Sequence, residues 1–116
     1  METLESLVAR VIAFRDERDW KQFHNPKDVA LSVVLEASEL LEHFQWKTPP
    51  EVAEHVKSHK AAVANELADL LYWVLLMAHD LDIDLPEALV KKLAENAAKY
   101  PVSKAKGSHK KYPQLG

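Results

Sequence analysis

Apolar residues recur along this chain at helical spacing and nowhere alternate as they would along a strand. Leu4, Leu7, Val8, Val11 and Ile12 form one stripe, and the charged cluster Arg15-Asp16-Glu17-Arg18-Asp19 follows it. Together they predict an amphipathic helix ending near Trp20. Asn25-Pro26 with Asp28 marks a second start, with asparagine as N-cap, proline at the first helical position and an acid in the first turn. That helix is expected over residues 26–45. Val29, Val33, Val34, Leu35, Leu40, Leu41 and Phe44 point in most directions around it, leaving Ser32, Glu36, Glu39 and His43 as a narrow polar strip.

Thr48-Pro49-Pro50-Glu51 is the next start, with glutamate at the capping-box position. Val52, Val56, Val63, Leu67 and Leu70 carry the pattern to about Asp80, with Ser58 as a point of breakage or re-capping. Asp84 caps a further helix that must stop before Pro101. The fold class is therefore all-α, a helical bundle. From Val102 the chain turns polar and basic around Gly107, which reads as an extended tail. The expected organisation is a helical domain over residues 1–101 and a basic tail over 102–116.

Composition narrows the chemistry. Without cysteine, neither disulfides nor thiolate catalysis is open to the chain. Glu2 and Glu5 near the start, with no basic or long apolar leader, argue against a signal peptide, so a cytoplasmic location is expected. The longest apolar run, Leu67 to Ala78, is shorter than the roughly 20 residues of a membrane span. All 18 acids lie at or before Glu95, where ten basic residues leave a net charge of −8, and five lysines from Lys99 onward add +5. That balance speaks against a nucleic acid polymer as partner, whose binding needs clustered basic residues, but it suits one small polyanion.

The least expected residues are acids in apolar company: Glu36 and Glu39 in one helix, Glu66 and Asp69 in another. Each pair is three residues apart and so shares a helix face. Buried ionised carboxylates cost several kcal/mol each; they must share a cation, face water or titrate. A solvated face or salt-bridge network is one reading, although residues 67–78 leave Asp69 almost no polar face to share. A di-iron carboxylate bundle needs Glu-x-x-His, and none of the six histidines has a glutamate three positions before it. A hard divalent cation, Mg²⁺ or Mn²⁺, fits acids without such partners, and beside a lysine-rich tail it points to a substrate with several phosphates.

Glu36-x-x-Glu39 followed by Glu66-x-x-Asp69 resembles the metal motif of the all-α, MazG-like nucleoside triphosphate pyrophosphatases. Residues 14–26 (FRDERDWKQFHNP), 36–47 (EASELLEHFQWK) and 84–87 (DLPE), with Asn96 to Pro101 and Lys111-Tyr112, are similar to the dCTP pyrophosphatase branch, in the same order. The resemblance implies hydrolysis between the α- and β-phosphates of a nucleoside triphosphate, dCTP or a modified cytosine nucleotide. It implies that Glu36, Glu39, Glu66 and Asp69 ligate Mg²⁺, and that Glu36 or Glu39 also serves the attacking water. Trp20, His24, Trp46 and Trp73 would surround base and sugar. Asn96, Lys99, Tyr100, Lys106 and Lys111 would hold sugar or phosphates. It also implies a homodimer or a homotetramer built as a dimer of dimers, in which a neighbouring subunit completes each pocket, with the two acid helices antiparallel. The alternative function is a non-enzymatic helical module that binds nucleotide or metal without turnover.

Overall fold

The structure is a computed structural model; it describes residues 1–114, the Tyr112 side chain excepted. Six α-helices follow in order: α1 Leu4–Glu17, α2 Pro26–Glu42, α3 Pro49–Ser58, α4 Lys60–Asp80, α5 Leu85–Lys99 and α6 Val102–Ala105. Short 3-10 turns occupy Lys21–Phe23 and Tyr112–Gln114, and no strand occurs among the described residues.

The helix starts follow from local chemistry. Asn25 accepts from the Asp28 amide and Asp84 from the Glu87 amide, each satisfying one of the otherwise orphaned first-turn donors. Thr48 and Glu51 form a reciprocal capping box. Thr3 and Ser6 form another at the start of α1. Ser58 closes α3, and His59 alone separates it from α4, so the break expected there is real.

The helix ends depart from expectation. Residues 43–46 are a turn instead of a fifth turn of α2, and α1 stops at Glu17, three residues before Trp20. In both places the backbone enters the left-handed region, at Asp19 (φ 54°) and at Trp46 (φ 67°). The tail is not wholly extended either: Val102–Ala105 forms one helical turn, its last amides bonding back to Pro101 and Val102. Gly107, with φ 77°, stands just beyond it in a conformation that favours glycine.

The chain divides into two compact units, Met1–Leu81 and the segment from Asp82 onward. In the first, α4 is the central helix. It packs most extensively against α2 and also against α1 and α3. Its Leu75, Leu76 and Ala78 are buried with Val29 of α2. By length and mean hydropathy (1.4) α4 passes for a membrane span, but it carries Glu66 and Asp69 within its length and packs against three helices of its unit. Arg15 of α1 is 1% exposed and donates through Nη1 to Asp80 Oδ2 at 2.7 Å. This part-buried pair ties α1 to the end of α4.

Candidate active site

The α2–α4 packing brings the acids together. Glu36 and Glu39 face Glu66 so that one carboxylate oxygen of each lies within 4.8 Å of the others. Asp69, one turn along α4 from Glu66, is exposed and outside that tight group, yet its charge is felt by both Glu36 and Glu66. Burial first, then contact with Glu39 and the neighbouring negative charges, push Glu36 and Glu66 above the usual glutamate range. Glu36 Oε2 and Glu66 Oε2 are buried and accept no hydrogen bond. A solvated face would leave neither oxygen orphaned. Three converging carboxylates, two of them with a buried, unpartnered oxygen, are a donor set that a hard divalent cation, Mg²⁺ or Mn²⁺, would fit, with Asp69 one turn away.

Next to the acids an open groove of about 510 Å³ runs between α1 and α4, lined by Arg10, Val11, Phe14, Trp20, Glu36, Asp69, Tyr72 and Trp73. Its walls are aromatic. Phe14 meets Trp20 and Tyr72 edge-to-face at 5.8 and 6.1 Å, and Tyr72 meets Trp73 at 5.1 Å. Such rings offer apolar faces for a planar group while two acids stand in the same groove. Val11 and Phe14 are three apart on α1, as Asp69 and Tyr72 are on α4, which explains why they line one cavity.

The structure distributes the other sequence candidates as follows. Trp20 and Trp73 lie in the groove. His24 lies behind it: its ring meets Trp73 edge-on at 5.3 Å, and it lines a separate cavity of about 330 Å³ with Lys21, Asn25, Met77, His79 and Asp80. Burial and the Arg15 charge lower the His24 pKa, and its Nδ1 is buried without a partner. Trp46 is 92% exposed on its left-handed turn and is not among the residues that line this groove. Asn96 and Lys99 are on α5, Tyr100 caps it, Lys106 caps α6 and Lys111 precedes the last 3-10 turn. All five belong to the second unit.

Phe14, Tyr72, Arg10 and Val11 are groove residues to which the sequence motifs assigned no site role, Phe14 entering only as the first residue of the 14–26 motif and Val11 as part of the first apolar stripe. The signal for them was their three- and four-residue spacing from each other and from Asp69, which by itself reads as ordinary core.

The MazG-like family model matches residues 31–115. dCTP pyrophosphatase 1 of Mus musculus is 38% identical over 115 residues, covering 97% of this chain and 68% of that protein. The Homo sapiens protein of the same name is 39% identical with the same coverage. A crystal structure of a pyrophosphatase from Archaeoglobus fulgidus superposes with a TM-score of 0.82 at 36% identity, covering 87% of this chain and 94% of that one. With fold, acid cluster and relatives in agreement, this chain belongs to the MazG-like family, as a nucleotide pyrophosphohydrolase.

Proposed function

We propose that the protein hydrolyses dCTP, or a nucleotide carrying a modified cytosine, to the monophosphate and pyrophosphate in the presence of Mg²⁺, with Mn²⁺ as a substitute. The observation that carries this reading is the convergence of Glu36, Glu39 and Glu66 with orphaned buried oxygens beside an aromatic groove. The relatives named for dCTP supply the base.

Glu36, Glu39, Glu66 and Asp69 would hold the cation, which when bound would neutralise phosphate charge and make the attacking water more acidic. Glu36 and Asp69 line the groove itself and so set the phosphates at its acidic wall. The proton of the attacking water would pass to a carboxylate of the cluster, a role assigned to Glu36 or Glu39 on their shared face of α2. Water adds at phosphorus, the bond to the bridging oxygen breaks, and pyrophosphate leaves.

Trp20 and Trp73 flank the base, His24 supports Trp73 from behind, and the groove's Phe14 and Tyr72 complete the wall. Asn96, Lys99, Tyr100, Lys106 and Lys111 are assigned to sugar and phosphates by resemblance and, for the lysines, by charge.

The assembly is proposed as a homodimer or homotetramer. Leu31, Val34, Leu35 and Leu41 of α2 are each more than half exposed in the single chain, an apolar face that invites a second copy. Trp46, projecting outward at a cost of about 1–2 kcal/mol for its left-handed backbone, is placed to enter a neighbouring subunit's groove. Action in the cytoplasm on the nucleotide pool accords with a cysteine-free chain.

The test is incubation with Mg²⁺ and a nucleotide panel, with product identification. Monophosphate and pyrophosphate from dCTP support the reading; absence of product from every nucleotide refutes it. Light scattering at several concentrations tests the assembly, and a monomer throughout would refute that part.

A further inference from the structure

A histidine pair stands beside the acid cluster and takes no part in the hydrolysis just described. His43, which closes α2, and His55 of α3 bring His43 Nδ1 and His55 Nε2 to 2.8 Å. His55 is held in place by further ring contacts. His59 stacks flat against it, with centroids 4.3 Å apart and planes at 6°, and Phe44 meets it edge-on at 6.2 Å. His59 is itself fixed by Ser58 Oγ, 2.8 Å from its Nδ1. Beside the pair is an opening of about 350 Å³ lined by His43, His55, Glu39, Glu42 and Glu66.

Two imidazole nitrogens from different helices, next to three carboxylates, are a donor set unlike that of the oxygen-only cluster. Hard cations prefer oxygen, whereas imidazole suits zinc, copper and nickel. Glu39 and His43 are four residues apart on α2 and so share a face. We propose that His43 Nδ1 and His55 Nε2 bind a borderline divalent cation such as Zn²⁺, with water in the rest of its shell and one carboxylate of the same opening, Glu39, Glu42 or Glu66, turning in to meet it. At zinc–nitrogen distances of about 2.0–2.1 Å, tetrahedral geometry sets the two nitrogens roughly 3.3 Å apart. The nitrogens now face each other along the line of their contact, with ring centroids 5.1 Å apart, so on binding the rings separate by about half an ångström and each turns by roughly 35° to aim its lone pair at the metal.

Glu39 and Glu66 wall this opening and also belong to the Glu36–Glu39–Glu66 cluster. Zinc at the histidines thus draws on carboxylates that hold the hard cation, and it raises the Mg²⁺ concentration needed for turnover. That consequence rests on the proposed function, but the binding site does not.

The test uses the full chain and Co²⁺ as a visible probe. Nitrogen-containing tetrahedral cobalt absorbs strongly, whereas an octahedral oxygen site absorbs weakly. The wild type is expected to give the strong band. His43→Gln and His55→Gln should each remove it and weaken Co²⁺ binding by about tenfold or more, with the helical signal and Mg²⁺-dependent hydrolysis kept. His109→Gln, in the basic tail, should retain the band. In wild-type protein labelled with ¹⁵N-histidine, substoichiometric Zn²⁺ should shift the His43 and His55 ring signals before those of His79 and His109, a readout that needs no variant. A weak oxygen-type spectrum, a strong band surviving both histidine substitutions, or first shifts at His79 or His109 would each overturn the site. Loss of hydrolysis in every sample with the strong band intact would instead count against the proposed function alone.

Discussion

Asp80→Ala is the perturbation whose cost the structure sets most directly. Arg15 is 1% exposed, and its Nη1 lies 2.7 Å from Asp80 Oδ2. Its other acidic neighbour, Asp16, is at 3.4 Å and 55% exposed, a weak substitute. Removing one partner of a buried pair costs about 3–5 kcal/mol because the other charge is left uncompensated. Solvent reaches 25% of the Asp80 side chain, which places the loss at the lower end, about 3 kcal/mol. With an unfolding entropy of about 2.1 cal/mol/K per residue, 116 residues give about 0.24 kcal/mol/K, so Tm should fall by roughly 12 °C. Asp80→Asn keeps an acceptor and should lose about a third to a half of that. Arg15→Met combined with Asp80→Ala removes both charges and should recover to within about 1–2 kcal/mol of the wild type. Far-UV circular dichroism melts at one fixed protein concentration supply the readout. An Asp80→Ala melt within about 3 °C of wild type, or a double variant less stable than both singles, would refute the reasoning. Because this pair ties α1 to α4, the two walls of the groove, Asp80→Ala should also raise KM for nucleotide.

Three other outcomes follow from the site. Glu39→Ala and Asp69→Ala should lower turnover by at least about 10³-fold while leaving the helical spectrum intact; near-normal turnover would reject their ligand roles. Glu36 and Glu66 bind protons more tightly folded than unfolded, so without metal their contribution to stability is present below about pH 4.5 and is lost as pH rises through their raised folded values. Mg²⁺ reverses that penalty, so its gain in Tm should be larger at pH 8 than at pH 5, and equal gains would contradict the shared carboxylate site. Trp46→Gly should change stability by no more than about 1 kcal/mol, since relief of a left-handed backbone offsets the entropy of glycine, while KM rises severalfold. An unchanged KM would remove Trp46 from the substrate site.

The helix starts were legible because each rests on contacts within four residues: Asn25 with Asp28, Thr48 with Glu51, Asp84 with Glu87. Helix ends were less so. Nothing in the periodicity of Val29 to Phe44 says that the chain turns left-handed at Trp46, and the cluster after Arg15 does not announce Asp19. That Glu36, Glu39 and Glu66 need compensation was legible because acids in apolar surroundings demand it, but their tight grouping without Asp69 depends on how α2 meets α4. Phe14 and Tyr72 stayed hidden because aromatic residues at helical spacing look like core. The His43–His55 contact spans twelve residues and depends on the angle at which α3 leaves Thr48, which no local pattern encodes.

The proposed metal-dependent hydrolysis of dCTP rests on four acids beside an aromatic groove. Product analysis of dCTP incubated with wild type and Glu39→Ala, each with Mg²⁺ and with a chelator, tests it most directly. The account predicts dCMP and pyrophosphate from the wild type with Mg²⁺ only. Diphosphate with orthophosphate as products, turnover surviving the chelator, or full activity in Glu39→Ala would contradict it.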